Sequence, residues 1–193
     1  MKKNLFVTIA FLLAFTFSYS QTYRYKIISN GQVVGELTAT QISSEGQSTQ
    51  TPSEDEPAQT ANANQKTINI MSEFDVHLFI SVHVKYEMKC KYIDGVLVES
   101  SVETYKDNDL HSSSKGEKIN DTYKVVADGD VLTHEGDIAY SGGMLYFKEP
   151  QGLSNIFSEI HAREKPVKKV NESHFMVTDP KTGQSNQYFY IYP

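Results

Sequence analysis

Apolar and polar residues alternate with a period of two through most of the chain. Between positions 68 and 92 nearly every even position is apolar: Ile68, Ile70, Phe74, Val76, Leu78, Ile80, Val82, Val84, Tyr86, Met88, Cys90 and Tyr92. The odd positions between them carry Asn69, Glu73, Asp75, His77, Ser81, His83, Lys85, Glu87 and Lys89. Such alternation sets one face on a core and the other in water, as antiparallel sheets do. The run exceeds an ordinary strand of about 3–10 residues. Its middle, Phe79-Ile80-Ser81, has no Gly, Pro, Asn or Asp to make a turn. The pattern therefore predicts one long, sharply bent strand.

Parity places the turns. Tyr92 and Val96 point the same way if Ile93-Asp94-Gly95 forms a three-residue loop with glycine in the left-handed position. Ile28 and Gln32 do so around Ser29-Asn30-Gly31, which puts Tyr23, Tyr25 and Ile27 on the face of Val33 and Leu37. Further turn signals stand at Asp107-Asn108-Asp109, Asn120-Asp121, Asp128-Gly129, Ser141-Gly142-Gly143 and Asp179-Pro180. Together they predict an all-β fold: an antiparallel meander of roughly eight to eleven strands forming a curved sheet, half-barrel or sandwich. One short helix interrupts it. After Pro150, Leu153, Ile156, Phe157 and Ile160 fall at i, i+3, i+4 and i+7, a helical stripe that would cap an open sheet end.

Two segments stand apart. Residues 1–20 have the parts of a signal peptide: Lys2 and Lys3, an apolar run over 5–17, and a small-residue exit at Ser18-Tyr19-Ser20. The apolar run is too short for a membrane span of about 20 residues. Cleavage after Ser20 leaves 173 of the 193 residues, one domain over 21–193, and moves the formal charge from −6 to −8. Residues 43–65 contain no Ile, Leu, Val, Met, Phe or Tyr and read as a disordered polar insert.

The acidic balance argues against nucleic acid, which needs a basic face. It argues equally against broad attachment to anionic membranes, and nothing marks an integral membrane protein. Arg163, Lys165, Lys168 and Lys169 are interrupted by Glu164 and Pro166 and read as a solvated strand face. The lone Cys90 has no disulfide partner, so the domain relies on its core.

Several ordered segments carry a family likeness: Tyr23-Arg24-Tyr25-Lys26-Ile27-Ile28-Ser29-Asn30-Gly31-Gln32-Val33-Val34-Gly35-Glu36-Leu37, Val82-His83-Val84-Lys85-Tyr86, Tyr140-Ser141-Gly142 and Leu145-Tyr146-Phe147-Lys148-Glu149-Pro150. Together they resemble a family of secreted, all-β proteins of Gram-negative bacteria classed as a domain of unknown function. The resemblance implies a signal-bearing periplasmic or secreted β domain and brings no catalytic residue, cofactor or substrate with it. Two departures stand out. The 43–65 insert is longer than the family's, and relatives run on through further strands beyond Ile191-Tyr192-Pro193. A missing closing strand would leave an exposed edge.

The chain has no G-x-S-x-G elbow, P-loop or paired C-x-x-C. His134-Glu135 opens like a zinc-protease helix, but Ile138 stands where the second histidine belongs. The acidic turns at 107–109 and 128–130 lack calcium-loop spacing. On a continuous strand His77 and His83 lie roughly 20 Å apart, too far to share an ion. Only a turn through Phe79-Ile80-Ser81 would bring them face to face, with Asp75 opposite Lys85. Ser141 and the histidines have no spacing that supports a hydrolase. The expectation is no catalysis, no catalytic residues, no metal and no cofactor. It is a periplasmic or secreted binding module whose sheet and Leu153, Ile156, Phe157 and Ile160 hold an apolar small molecule or lipid. The alternative is a structural or interaction module of the cell envelope that contacts a protein partner and holds no small ligand.

Overall fold

The computed structural model describes residues 18–29, 31–44, 63–77 and 81–190. Most of the expected signal peptide and of the polar insert lies outside these residues. Of the parts that are described, Ser18–Ser20 open the first strand, Ser43 and Ser44 pair with Lys66 and Gln65, and Ala63 and Asn64 lie outside any strand. Among the described residues the chain is all-β, built from two antiparallel sheets.

Eight strands meander in chain order: β1 (Ser18–Ser29), β2 (Gln32–Ser44), β3 (Gln65–His77), β4 (Ser81–Ile93), β5 (Val96–Lys106), β6 (Asp109–Ile119), β7 (Thr122–Ala127) and β8 (Asp130–Glu135). This sheet is open, with β1 and β8 at its edges. A second meander of four contains β9 (Asn155–Ser158), β10 (Arg163–Asn171), β11 (His174–Thr178) and β12 (Ser185–Phe189). The connection between them makes one 3₁₀ turn, Gly142–Tyr146.

The single bent strand is not formed. Residues 68–92 fold back as the β3–β4 hairpin, with His77 opposite Ser81 and Asp75 opposite His83. His77 and His83 therefore do not face each other, nor Asp75 and Lys85. The fold-back matches even positions with even ones, Ile68 with Cys90, Ile70 with Met88 and Phe74 with Val84. Covering one long apolar face in this way outweighs the absence of turn-forming residues.

The expected three-residue loops are not formed, so next to the turns the expected faces fail: Tyr92 pairs with Leu97 and not Val96, and Ile28 with Val33 and not Gln32. Ile93 pairs with Val96 across a two-residue Asp94-Gly95 turn, and Val98 is then an extra residue before Glu99 pairs with Lys91. The same two-residue turn and bulge recur where Ser29 pairs with Gln32 and where Lys106 pairs with Asp109. A two-residue loop plus one bulged residue shifts parity as a three-residue loop does. At the β1–β2 turn Val33 lies opposite Ile28, off the face of Tyr23, Tyr25 and Ile27, and beyond the bulge at Val34 Tyr25 lies opposite Leu37 and Tyr23 opposite Ala39.

An aspartate secures three of the turns. Asp94 (φ 49°), Asp107 (φ 51°) and Asp128 (φ 49°) each take the left-handed conformation that two-residue hairpin turns of the primed type require. Each donates its N–H to a carbonyl one strand back, on Asn64, His83 and Ser113, at 2.9 Å. Each Oδ1 then accepts the N–H of that same residue, at 2.9, 2.9 and 2.8 Å. The turns are thus clamped to the strand before the hairpin.

The expected helix over 153–160 is also absent. Residues 155–158 form β9, which pairs with β10. Neighbouring strand residues point to opposite sides, so Ile156 and Phe157 serve different cores. Phe157 joins the main one, built on the inner face of the large sheet from residues such as Ile70, Met88, Cys90, Tyr92, Leu97, Val102 and Tyr123. Ile156 packs with Leu145 and Val177 in a smaller one. With a core on each side, every residue of β9 after Asn155 is buried, so apolar residues run consecutively and imitate a helical stripe.

Candidate functional site

Three tyrosines hold the 3₁₀ turn and its exit on the sheet. Tyr25 donates to the Tyr146 carbonyl at 2.7 Å, Tyr190 to the Leu145 carbonyl at 2.7 Å, and Tyr140 to the Lys148 carbonyl. Burial, with Tyr190 beside it, pushes the neighbouring Tyr188 phenol up to about 12. This anchoring fixes the N–H groups at the start of the turn. There lies the most concentrated polar cluster of the interior.

Its centre is Glu159, 1 % exposed. Oε1 accepts the Ser141 hydroxyl, the Gly143 N–H at 3.0 Å and the Cys90 thiol at 3.2 Å. Oε2 accepts the Gly142 N–H at 3.0 Å. Tyr92 Oη lies 2.5 Å from Ser141 Oγ, and Ser114 donates to the Glu159 carbonyl at 2.8 Å. The glycines are required by close approach: a Cβ on Gly142 would lie 2.9 Å from Glu159 Oε2, and one on Gly143 3.2 Å from Cys90 Sγ.

The group resembles a catalytic constellation but its electrostatics run the other way. Burial and the Glu159 charge push the Cys90 thiol well above its usual range, so it stays protonated. Burial, with Cys90 and Glu159 adding to it, does the same to the Tyr92 phenol. Ser141, 0 % exposed, spends its hydroxyl on Glu159 and Tyr92 and bonds to no histidine. The cluster ties β4, the 3₁₀ turn and the residue after β9 into one unit.

Two accessible recesses lie on the opposite, outward face of the large sheet. One, of about 630 Å³, crosses β2–β4 and is mainly acidic, with Glu36, Glu73 and Asp75 beside His83 and Lys85. His83 Nδ1 lies 3.1 Å from Asp75 Oδ1. The other, of about 770 Å³, crosses β3–β7 and carries Lys89, Lys91, Lys115 and Lys124 with Glu99 and Glu117. Cross-strand pairing sets these side chains in two rows: Lys89–Ser101–Lys115, and Lys91–Glu99–Glu117–Lys124.

Of the residues expected to line an apolar site, Ile156 and Phe157 are buried on opposite sides of β9. Leu153 is exposed and Ile160 packs partly on the main core. They share no face and line neither groove. Among the described residues no group of three or more His, Cys, Asp or Glu is placed to hold a metal ion. No helix of the described residues is long and apolar enough to cross a membrane. Sequence reasoning missed Glu159, since 69 positions separate it from Cys90 and 18 from Ser141 and no spacing rule links them.

The model of one protein family, described as Domain of unknown function (DUF6134), matches residues 57–192. The chain belongs to this family. The matched stretch takes in β3–β12, and hence the Glu159 cluster and the whole lysine groove. Strands β1 and β2, including the 23–37 segment that contributed to the family likeness, lie outside it. No curated protein and no solved structure matches the chain significantly.

Proposed function

We propose that this DUF6134 protein is an exported interaction module of a Gram-negative cell envelope, without catalysis, that meets a partner through the outward face of its large sheet. One observation carries the reading: two grooves lie on that face and are lined with charge, while the inner face carries the buried apolar cluster. The signal-like N-terminus supports export, with the mature chain beginning at Gln21. The expectation of an apolar ligand rested in part on a helical stripe, and residues 155–158 of that stripe form β9.

A photo-reactive residue in place of Ser101, in the lysine groove, tests this in the producing cell. A discrete crosslinked adduct, absent when the probe replaces Lys168 on the smaller sheet, is the expected result. A protein that instead co-purifies with lipid, releases it to a fatty-acid probe and gives no adduct would overturn the proposal. Intact mass of the envelope fraction tests export separately; a mature form that retains residues 5–17 would refute it.

A further inference from the structure

We infer that the lysine groove receives an extended acidic peptide segment of a partner protein, with carboxylates about three residues apart. This deepens the interaction reading and rests on it. The two rows of the groove differ in charge balance. Lys91 is paired with Glu99 at 3.3 Å, and Glu117 stands directly opposite Lys124, so that row is largely self-compensated. The adjacent row is not. Lys89 and Lys115 stand on either side of Ser101, each its direct cross-strand partner, with no carboxylate between them. Both are exposed, and neither makes an ion pair among the described residues. Two cations without an ion-pair partner among the described residues thus share one groove, with Glu87 and Glu103 in the row beyond them, in a chain of net charge −6.

The spacing selects the ligand. Two strand gaps of about 4.8 Å put Lys89 and Lys115 about 10 Å apart at the backbone. An extended peptide of polyproline-II form advances about 3.1 Å per residue and repeats its side-chain direction every third residue, so carboxylates three residues apart match that interval. A densely charged anion fits less well, because Glu99 and Glu117 in the next row repel it. They suit instead the backbone N–H groups and hydroxyls that lie between sparse carboxylates.

Fluorescence anisotropy of a labelled peptide of about twelve residues, with glutamate at every third position and Ser and Gly between, tests this against the full-length mature protein. The expected result is saturable binding that weakens as salt rises. It should fall at least tenfold in Lys89→Ala/Lys115→Ala, persist in Lys89→Arg/Lys115→Arg and be unchanged in Lys168→Ala/Lys169→Ala. A peptide of equal charge with its glutamates clustered should bind less tightly. Equal binding by the alanine pair, or a preference for inorganic phosphate, the clustered peptide or vesicles of anionic phospholipid, would overturn the inference. The two readings fail separately. A Ser101 adduct that survives Lys89→Ala/Lys115→Ala removes the acidic segment and keeps the interaction module, whereas absence of both the adduct and peptide binding in the otherwise unsubstituted protein removes both.

Discussion

Removing the buried acceptor at Glu159 is the sharpest test of how the two sheets are joined. In Glu159→Ala the Gly142 and Gly143 N–H groups lose their acceptor, as do the Ser141 hydroxyl and the Cys90 thiol. Ser141 can still bond Tyr92, and a thiol is a weak donor, so the two backbone N–H groups dominate the cost. A buried donor left unmade costs about 1–3 kcal/mol, which puts Glu159→Ala at about 2–6 kcal/mol before the lost side-chain packing is counted. Glu159→Gln behaves differently. Its carbonyl can occupy the Oε1 position and keep three of the four donors, leaving only its amide against the Gly142 N–H, at about 1–3 kcal/mol. Urea unfolding followed by circular dichroism, at constant denaturant slope, measures both. A Glu159→Ala loss below about 1 kcal/mol would refute the role given to these bonds. Equal losses in the two variants would show that the charge, and not the acceptor geometry, matters.

Gly116→Ala would place a Cβ 2.5 Å from Tyr123 Cε1 and 2.8 Å from Ser100 Oγ, and the overpacking should cost about 1–3 kcal/mol. An unchanged thermal midpoint would contradict that close approach. The Lys181 N–H first, and Lys165 among the further contributors, hold the Asp179 carboxyl down to about 2, against an ordinary 3.8. Its contribution is therefore present above the ordinary value and lost as pH falls from about 4 towards 2; thermal midpoints across that interval should fall less steeply in Asp179→Asn. Cys90, 0 % exposed and held protonated, should resist a thiol reagent at pH 8 until urea unfolds the chain. Stoichiometric labelling of the native protein would show that the core opens locally.

The all-β class, the antiparallel meander and most turn positions were legible because strand alternation and turn chemistry are local. Even-numbered Ile68, Ile70, Met88, Cys90 and Tyr92 were assigned to one face and are all buried together. Asp94-Gly95, Asp107-Asn108 and Asp128-Gly129 announce left-handed backbone whatever surrounds them. The charges of the lysine groove were visible as residues. Their adjacency was not, since it depends on the register of four strands.

What only the tertiary structure decided involves competition between distant parts. The β3–β4 hairpin forms because pairing two apolar faces outweighs local turn preference, a balance that local chemistry cannot display. Consecutive apolar residues at 156 and 157 have two readings, a helix face or a strand between two cores, and the second sheet chooses the strand. Cys90, Tyr92, Ser141 and Glu159 meet because the 3₁₀ turn and β9 pack across the sheet at long range. Periodicity records which way a side chain points. What it meets there is set by elements tens of residues away, which is why the faces could be read from the sequence while the contacts across them could not.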